Sequence, residues 1–468
     1  MIPIKNVSGK KIAVMGLGRS GLCTAQALQR AGARVCAWDD GAAGRAAAEA
    51  AGVALIPLAE EDWTDIAALV LSPGIPHTHP APHPVAAAAR AEGVEIIGDI
   101  ELLKRSVPAA RTLGITGTNG KSTTTALLGH ILKTAGAPVQ VGGNLGRPAL
   151  DLDPLGADGT YVLELSSFQL ELTPGGGFDI AVLLNITPDH LERHGGMEGY
   201  IAAKRLIFEN SNGTMVVGID DPDCAAICAG LRNHPHNTVI PISATTPVAG
   251  GVYVKDGALI DDTEGAQEVV AEIADIATLP GDHNAQNAAA AYAAALAAGV
   301  ARDEIVAGLQ TYPGLAHRQQ LVARIDGVAY VNDSKATNPE AASRALSCYD
   351  GIYWIAGGRA KEGGLGSLTP YLPRIRHAFL IGEAAEPFAN ALGETIDARI
   401  SGTLDAATRH AHTLVQQDTP DGAVVLLSPA CASYDQYPNF EERGREFERC
   451  VRDLPGDDRQ FYELEEAV

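Results

Sequence analysis

The sequence predicts an α/β protein of three domains, each built on a mostly parallel sheet with helices packed against its faces. Three observations carry that expectation. A chain of 468 residues is too long for one hydrophobic core, and ordinary domain sizes divide it into about two to four. Within it a short β-branched apolar run, breaking into a Gly-rich or polar turn and then a helical stretch, starts afresh three times. With 46% hydrophobic and 20% charged residues, the composition is that of a folded globular chain rather than a disordered one.

The first restart is KIAVMGLGRSGLCTAQALQRAG, followed by the strand-like RVCAWDD and AALVLSPGIP. Gly16-Leu17-Gly18-Arg19-Ser20-Gly21 lies between a strand and a helix, and Asp39 ends the next strand about where a ribose-binding acid belongs, which makes this domain Rossmann-like. Glycines there let the backbone approach a diphosphate at the positive end of a helix, and any nucleoside diphosphate satisfies that chemistry. A dinucleotide, a uridine diphosphate sugar and a purely structural turn are therefore all compatible. Since no dehydrogenase-like acid/base pair accompanies the loop, the uridine diphosphate sugar is the favoured ligand.

The second restart, RTLGITGTNGKSTTTALLGHILKTAG, holds Gly117, Thr118, Asn119, Gly120, Lys121, Ser122 and Thr123 between a strand and a helix reaching about Ala135. This is the ending of a phosphate loop, although Ile115 stands where the common form has its first glycine. Backbone N–H groups of such a loop cradle phosphates, Lys121 reaches the terminal ones, and the Ser122 hydroxyl can face Mg²⁺. The next strands end at Glu164, in LELSSFQLE, and at Asn185, in NITPDHLERHG with Asp189 and His190. In a parallel sheet these ends share an edge with the phosphate loop, so Glu164 and His190 can converge on it. A solvated strand-end carboxylate is the competing reading for Glu164, and His is an unusual Mg²⁺ ligand.

The third restart is VAYVNDSKATNPEAASRAL, followed by GIYWIAGG, HAFLIG and AVVLLSPACASYDQ. Boundaries near Pro108 and Pro313 give a Rossmann-like domain over 1–107, a central P-loop ATPase-type domain over 108–313, and a Rossmann-like C-terminal domain over 314–468. No solenoid-range repeat is visible, and the Ala-rich stretches are helix formers.

A formal charge of −22 opposes nucleic-acid binding, so anionic ligands must be held by local constellations. The apolar run after Lys10 and Lys11 reaches glycines too soon for a signal peptide, and nothing approaches the roughly 18 apolar residues of a membrane span. Seven cysteines without a C-x-x-C pair read as free thiols, with Cys224 and Cys228 better explained as buried than as metal ligands. A monomer in a reducing cytoplasm is the expectation.

TGTNGKST, LELSSFQLE, NITPDHLERH and YIAAKRLIF, in this order, closely resemble the central ATPase domain of Mur ligases and folylpolyglutamate synthases. GDHNAQNAAAAYAA is similar to the adenine-contacting helix of that family and GLAHRQQ to the entry of its third domain. VNDSKATNPEA and LLSPACASYDQYPNFEERG are similar to the members that add D-glutamate rather than alanine, diaminopimelate or a dipeptide. The resemblance implies ATP and two Mg²⁺ ions, one on Ser122 and Glu164, the other on His190 and Lys204 carbamylated by CO₂. It implies Asn284 and Asn287 for adenine, Arg318 for phosphates and Asp333 for the ribose of ATP. Thr337, Lys361, Ser433 and the Phe440 backbone would take D-glutamate, with Lys361 set in an unusual GGRAKEGG context. Asp39 and Asp40, with Ser72, Pro73 and Gly74, would hold the uridine diphosphate substrate, and Asn144 would face its sugar. Asp40-Gly41 stands where the family has hydroxyl and basic residues.

The implied reaction is ATP-dependent amide formation between UDP-N-acetylmuramoyl-L-alanine and D-glutamate through an acyl phosphate, with closure of the domains around it. His317 and Lys335 are candidates for orienting the intermediate, and a merely structural His317 is equally compatible. Rival readings are a nicotinamide dehydrogenase on Gly16, Gly18 and Gly21, a non-catalytic nucleotide-binding module on the second loop, and another amide ligase of the same families.

Overall fold

The computed structural model describes residues 1–462 apart from 235, 237, 274, 275, 277, 361–363, 394 and 419–421, and without the side chains of 282 and 283. Among the described residues the strands gather into three sheets. The chain divides into two compact units, one of Met1–Asp275 with Asn284–Tyr312 and one of Ile276–His283 with Pro313–Ala467.

The first sheet has strands β1 (Lys11–Met15), β2 (Arg34–Trp38), β3 (Ile66–Leu71) and β4 (Ile96–Ile97) in the order β2-β1-β3-β4, all parallel. Their apolar runs lack strict alternation because helices cover both faces of such a sheet. The helix Arg19–Arg30 follows β1 directly, and a Cβ at Gly21 would lie 1.8 Å from the Gly16 carbonyl oxygen. Glycine is thus required at that position for helix and strand to meet.

The second sheet belongs to the same unit. Its strands are β5 (Arg111–Thr116), β6 (Val139–Gly143), β7 (Thr160–Glu164), β8 (Ile180–Leu183), β9 (Thr214–Gly218), β10 (Thr238–Ser243), β11 (Val252–Lys255), β12 (Ala258–Asp261) and β13 (Glu268–Glu272). They run in the order β13-β12-β11-β10-β9-β8-β5-β7-β6, parallel from β6 to β11 and antiparallel beyond. β5, buried from Thr112 to Thr116, lies between β7 and β8, with Ile115 level with Glu164 and Thr116 level with Leu183. The Ala288–Ala295 stretch of helix Asp282–Ala297, Tyr292 included, is buried.

The second unit carries β14 (Gln320–Ile325), β15 (Val328–Asn332), β16 (Ile352–Gly357), β17 (Ile375–Ile381), β18 (Asp397–Gly402), β19 (Val424–Leu427) and β20 (Arg459–Phe461). The order is β18-β17-β16-β19-β15-β14-β20, parallel from β18 to β15 with antiparallel β14 and β20 at the edge. Trp354 is fully buried in it, its indole N–H donating to the Ser428 carbonyl at 2.8 Å. No described helix is long and apolar enough to cross a membrane. Of the cysteines, Cys348 is half-buried and the others are buried.

Candidate active site

At the C-terminal ends of β1 and β3 a cleft of about 530 Å³ opens, walled by Gly16, Gly18, Asp39, Asp40, Ser72, Pro73 and Gly74. Leu17 is not on its wall. That side chain is buried in the core, and its backbone N–H donates to Asp39 Oδ2 at 2.5 Å. Asp39 also accepts from the Gly41 N–H at 2.7 Å, so one carboxylate ties the glycine loop to the end of β2. Asp40 pairs with His83 Nε2 at 2.9 Å. The Ser72 hydroxyl donates to the Gly16 carbonyl at 2.8 Å, joining the two loops that form the floor. Arg19, Ser20, Pro76 and His83 also line the cleft, and sequence reasoning did not single them out as ligand contacts.

The phosphate loop leaves β5 and enters helix Lys121–Thr134 through Gly120, whose φ of 82° is left-handed. A Cβ there would lie 2.2 Å from Asn287 Oδ1, so both torsion and space demand glycine. The loop is pinned from the β8 side: Asn185 Oδ1 accepts from the Asn119 N–H at 2.9 Å, and the Thr118 hydroxyl donates to the Thr187 carbonyl at 3.1 Å. Lys121 Nζ donates to the Gly117 and Thr118 carbonyls, both at 2.8 Å, and Ser122 is buried at the helix start. Thr123 follows it, half-buried, in the first turn. Asn287 lies beneath the loop, 1% exposed, accepting from the Thr124 hydroxyl and donating to Asn284.

Glu164, 2% exposed at the end of β7, receives a bond from Asn144 Nδ2 on Oε1 at 2.5 Å. Its Oε2 is buried without a hydrogen-bond partner. An orphaned carboxylate oxygen beside a phosphate loop is the hard, anionic ligand that Mg²⁺ takes, so this donor set fits that ion. Asn144, expected toward a sugar, is exposed and also clamps Glu164, its backbone N–H donating to the Glu164 carbonyl at 2.9 Å.

His190, after β8, has a left-handed φ of 52° and an exposed ring 5.0 Å from that of Phe168. Partial burial lowers its pKa. Lys204 is 1% exposed. Its Nζ donates to the Gly117 carbonyl at 2.8 Å and sits 4.8 Å from the Tyr200 ring. Burial, followed by the Lys121 charge, lowers its pKa to about 7. The structure therefore brings Lys121, Ser122, Glu164 and Lys204 to one edge of the central sheet.

In the second unit, His317 is buried and accepts on Nδ1 from Asn332 Nδ2 at 3.0 Å, and burial lowers its pKa to about 4. Arg318 follows it, its N–H bonded to the Leu315 carbonyl. Asp333 is buried at the end of β15, accepting from the Ser428 hydroxyl and the Gln319 N–H, and burial raises its pKa to about 7. Lys335 Nζ lies 4.0 Å over the Phe440 ring, and the Phe440 carbonyl accepts from the Ser334 hydroxyl at 2.8 Å. Thr337 is half-buried in the same loop, and Ser433 is 2% exposed at the start of a turn closed by the Tyr437 N–H. Lys361 lies outside the described residues.

Sequence reasoning missed the residue that joins these loops. Arg443, 1% exposed, donates to Ser334 Oγ, the Ser334 carbonyl and the Cys431 carbonyl at 3.0, 2.8 and 3.1 Å, gathering VNDSKATN and LSPACASYD on one guanidinium. In the sequence it sits among alternating charges on a helix and reads as solvated. Tyr200 was missed in the same way, although its hydroxyl lies 3.0 Å from Thr118 Oγ1 in the phosphate loop.

Three family models match the chain: Mur ligase MurD-like, N-terminal domain, over residues 10–98; Mur ligase middle domain over 115–295; and Mur ligase, glutamate ligase domain, over 317–431. A protein of Rhodospirillum rubrum named UDP-N-acetylmuramoylalanine--D-glutamate ligase is 53% identical over 97% of this chain and 97% of its own. A protein of the same name from Rhizobium meliloti is 51% identical over 97% of this chain and 99% of its own. Among solved structures, UDP-N-acetylmuramate-alanine ligase MurC from Thermotoga maritima aligns with a TM-score of 0.58 at 17% identity, covering 94% of this chain and 99% of that one. MurF ligase from Thermotoga maritima in complex with ADP aligns at 0.56 and 19%, covering 96% of each chain. These two likenesses speak to the fold.

Proposed function

Because the chain belongs to the Mur ligase family, we propose that it joins D-glutamate to UDP-N-acetylmuramoyl-L-alanine, converting ATP to ADP and phosphate, in the synthesis of peptidoglycan precursors. The observation that carries the chemistry is the edge of the central sheet, where a phosphate loop lies between an orphaned carboxylate and a buried lysine. The choice of D-glutamate rests on the relatives' name.

A carboxylate is a poor electrophile, so it must first be phosphorylated. The carboxylate oxygen of the acceptor attacks the γ-phosphorus, the bond to the β-γ bridging oxygen breaks, and ADP leaves. Backbone N–H groups of 117–122 hold the phosphates, and Lys121 turns from its loop carbonyls to meet the transferring group. The amine of D-glutamate then attacks the acyl carbon, phosphate leaves and the amine gives up a proton. Ser122 and Glu164 would hold one Mg²⁺ and His190 with Lys204 a second, and such ions neutralise charge on the phosphates. In this reading Lys204 acts as a carbamate: its uncharged amine adds CO₂, losing one N–H proton, to give an oxygen ligand. Burial of the amine next to Lys121 supports this, since both disfavour the ammonium.

The cleft at Gly16, Gly18 and Ser72 takes the uridine diphosphate, with Asp39 and Asp40 toward uridine and Asn144 toward the sugar. Asn284, Asn287, Arg318 and Asp333 serve ATP; Thr337, Lys361, Ser433 and Phe440 serve D-glutamate; His317 and Lys335 orient the intermediate. Functional domains of 1–107, 108–313 and 314–468 belong to the same proposal. So does a cytoplasmic monomer, since one chain can hold the whole substrate set.

Phosphate release measured with the uridine-linked acceptor and a panel of D- and L-amino acids tests the reading. Stimulation confined to D-glutamate is expected. Stimulation by another amino acid, or by a folate acceptor, would transfer the protein to another amide ligase of these families.

A further inference from the structure

The loop after β3 does more than floor the diphosphate cleft. From Gly74 and Pro76, which line that cleft, it runs to His77, whose Nε2 lies 3.4 Å from Glu171 Oε2 at the end of the helix Ser167–Glu171. The other oxygen of Glu171 lies 3.3 Å from His194 Nδ1, and His194 Nε2 is 2.9 Å from the Ser167 hydroxyl. Both ring nitrogens of the buried His194 are thus within hydrogen-bond reach of a partner, Glu171 on one side and Ser167 on the other. Burial alone would push the Glu171 carboxyl up, but hydrogen bonds from His194 and His77 outweigh it and hold the group at about 2. One carboxylate thus joins a loop of the first sheet to a helix and a turn of the second.

Two further contacts run beside it. Arg193 donates to the Gly74 carbonyl at 2.9 Å while lying 4.5 Å over the Phe168 ring. A Cβ at Gly195 would come within 2.9 Å of His79 Nε2, so the turn presses directly on the loop. On its far side the His194 ring stacks on Phe168 at 5.2 Å and meets the Tyr200 ring at 5.4 Å. The Tyr200 hydroxyl lies 3.0 Å from Thr118 Oγ1, so the packed chain ends in the phosphate loop.

We propose that Glu171, gripped by His77 and His194, is a positioning residue that keeps the diphosphate cleft in register with the phosphate loop. The inference rests on the ligase reading, in which one substrate must span from the cleft to the γ-phosphate. Its anchored end is held by the 72–77 loop and its reacting carboxylate must meet ATP at 117–122. An error of about 1 Å between the two costs up to ~100-fold in rate without weakening either binding event.

The test measures turnover of the full chain, wild type against Glu171→Ala and His77→Ala. The dissociation constants of a non-hydrolysable ATP analogue and of the uridine-linked acceptor are measured separately by calorimetry. Turnover should fall about tenfold or more in each variant with both dissociation constants within about twofold of wild type, and the double variant should be no slower than the slower single one. His77 lies on a half-buried loop, so its variant keeps the test alive where Glu171→Ala fails to fold. Wild-type turnover in either folded variant, a loss that appears as weakened binding, or additive losses in the double variant overturns the proposal. A wild-type protein that ligates nothing overturns the ligase reading, and this one with it.

Discussion

Lys204 separates a carbamate from a simple phosphate-binding cation. The residue is 1% exposed, and burial together with the Lys121 charge brings its pKa from 10.5 to about 7. At pH 8 such a group is roughly 90% uncharged, against roughly 0.3% for an ordinary lysine, an enrichment of about 300-fold in the form that adds CO₂. The uncharged fraction rises as pH passes upward through the folded pKa and is lost below it. Activation by bicarbonate of CO₂-depleted enzyme should therefore be steepest between about pH 6 and 8. Lys204→Ala should lower phosphate release by about 100-fold or more, and acetate at high concentration should restore part of it by supplying an oxygen ligand. Lys204→Arg should be equally slow, because a guanidinium keeps the charge and cannot become an anionic oxygen donor. Carbon-13 NMR of enzyme equilibrated with labelled CO₂ reads the adduct directly. Full activity in the Arg variant, or active enzyme without a carbamate signal, would rule the carbamate out.

Lys121→Ala should slow ligation by about 1,000-fold through loss of the cation at the transferring phosphate. Its unfolding midpoint should stay at the wild-type value, because Asn185 and Thr187 still pin the loop; near-normal turnover by the folded variant would remove the phosphate-loop assignment. Ser433→Ala should raise the KM for D-glutamate by about tenfold, the value of one hydrogen bond to a charged ligand, and leave that for ATP unchanged. The turn around it survives, since its carbonyl still accepts from the Tyr437 N–H; a KM shift for ATP alone moves the residue out of the amino-acid site. Arg443→Met strips three acceptors of their donor and should destabilise the second unit by about 3 kcal/mol. Scanning calorimetry should show its transition ~6–12 °C lower, and an unmoved transition means the guanidinium holds nothing.

Much of the fold was legible because its signals are local. A β-branched run followed by GLGRSG or GTNGKS encodes a strand, a turn that only glycines allow and a helix, and the structure has β1 and β5 leading into helices at those places. The phosphate loop could be read in the same way, since Gly120 needs a left-handed torsion whatever surrounds it. The role of Asn144 as a clamp on Glu164 was not legible, for it depends on two strand ends lying side by side in the sheet order.

The three strand–turn–helix restarts, the motifs and their order could be read from the chain alone, because torsional preference and hydrophobic period act over a few neighbouring residues. Which charged residues left water depended on packing between distant segments. Lys204 and Arg443 sit on helices whose sequences look solvated, yet both are 1% exposed. Their partners lie far away in the chain, 87 residues for Lys204 and Gly117, 109 for Arg443 and Ser334. The same holds for Glu171, whose bond to His77 spans 94 residues. Burial, and with it the protonation and reach of each group, is a property of the packed neighbours, which no local window of sequence contains.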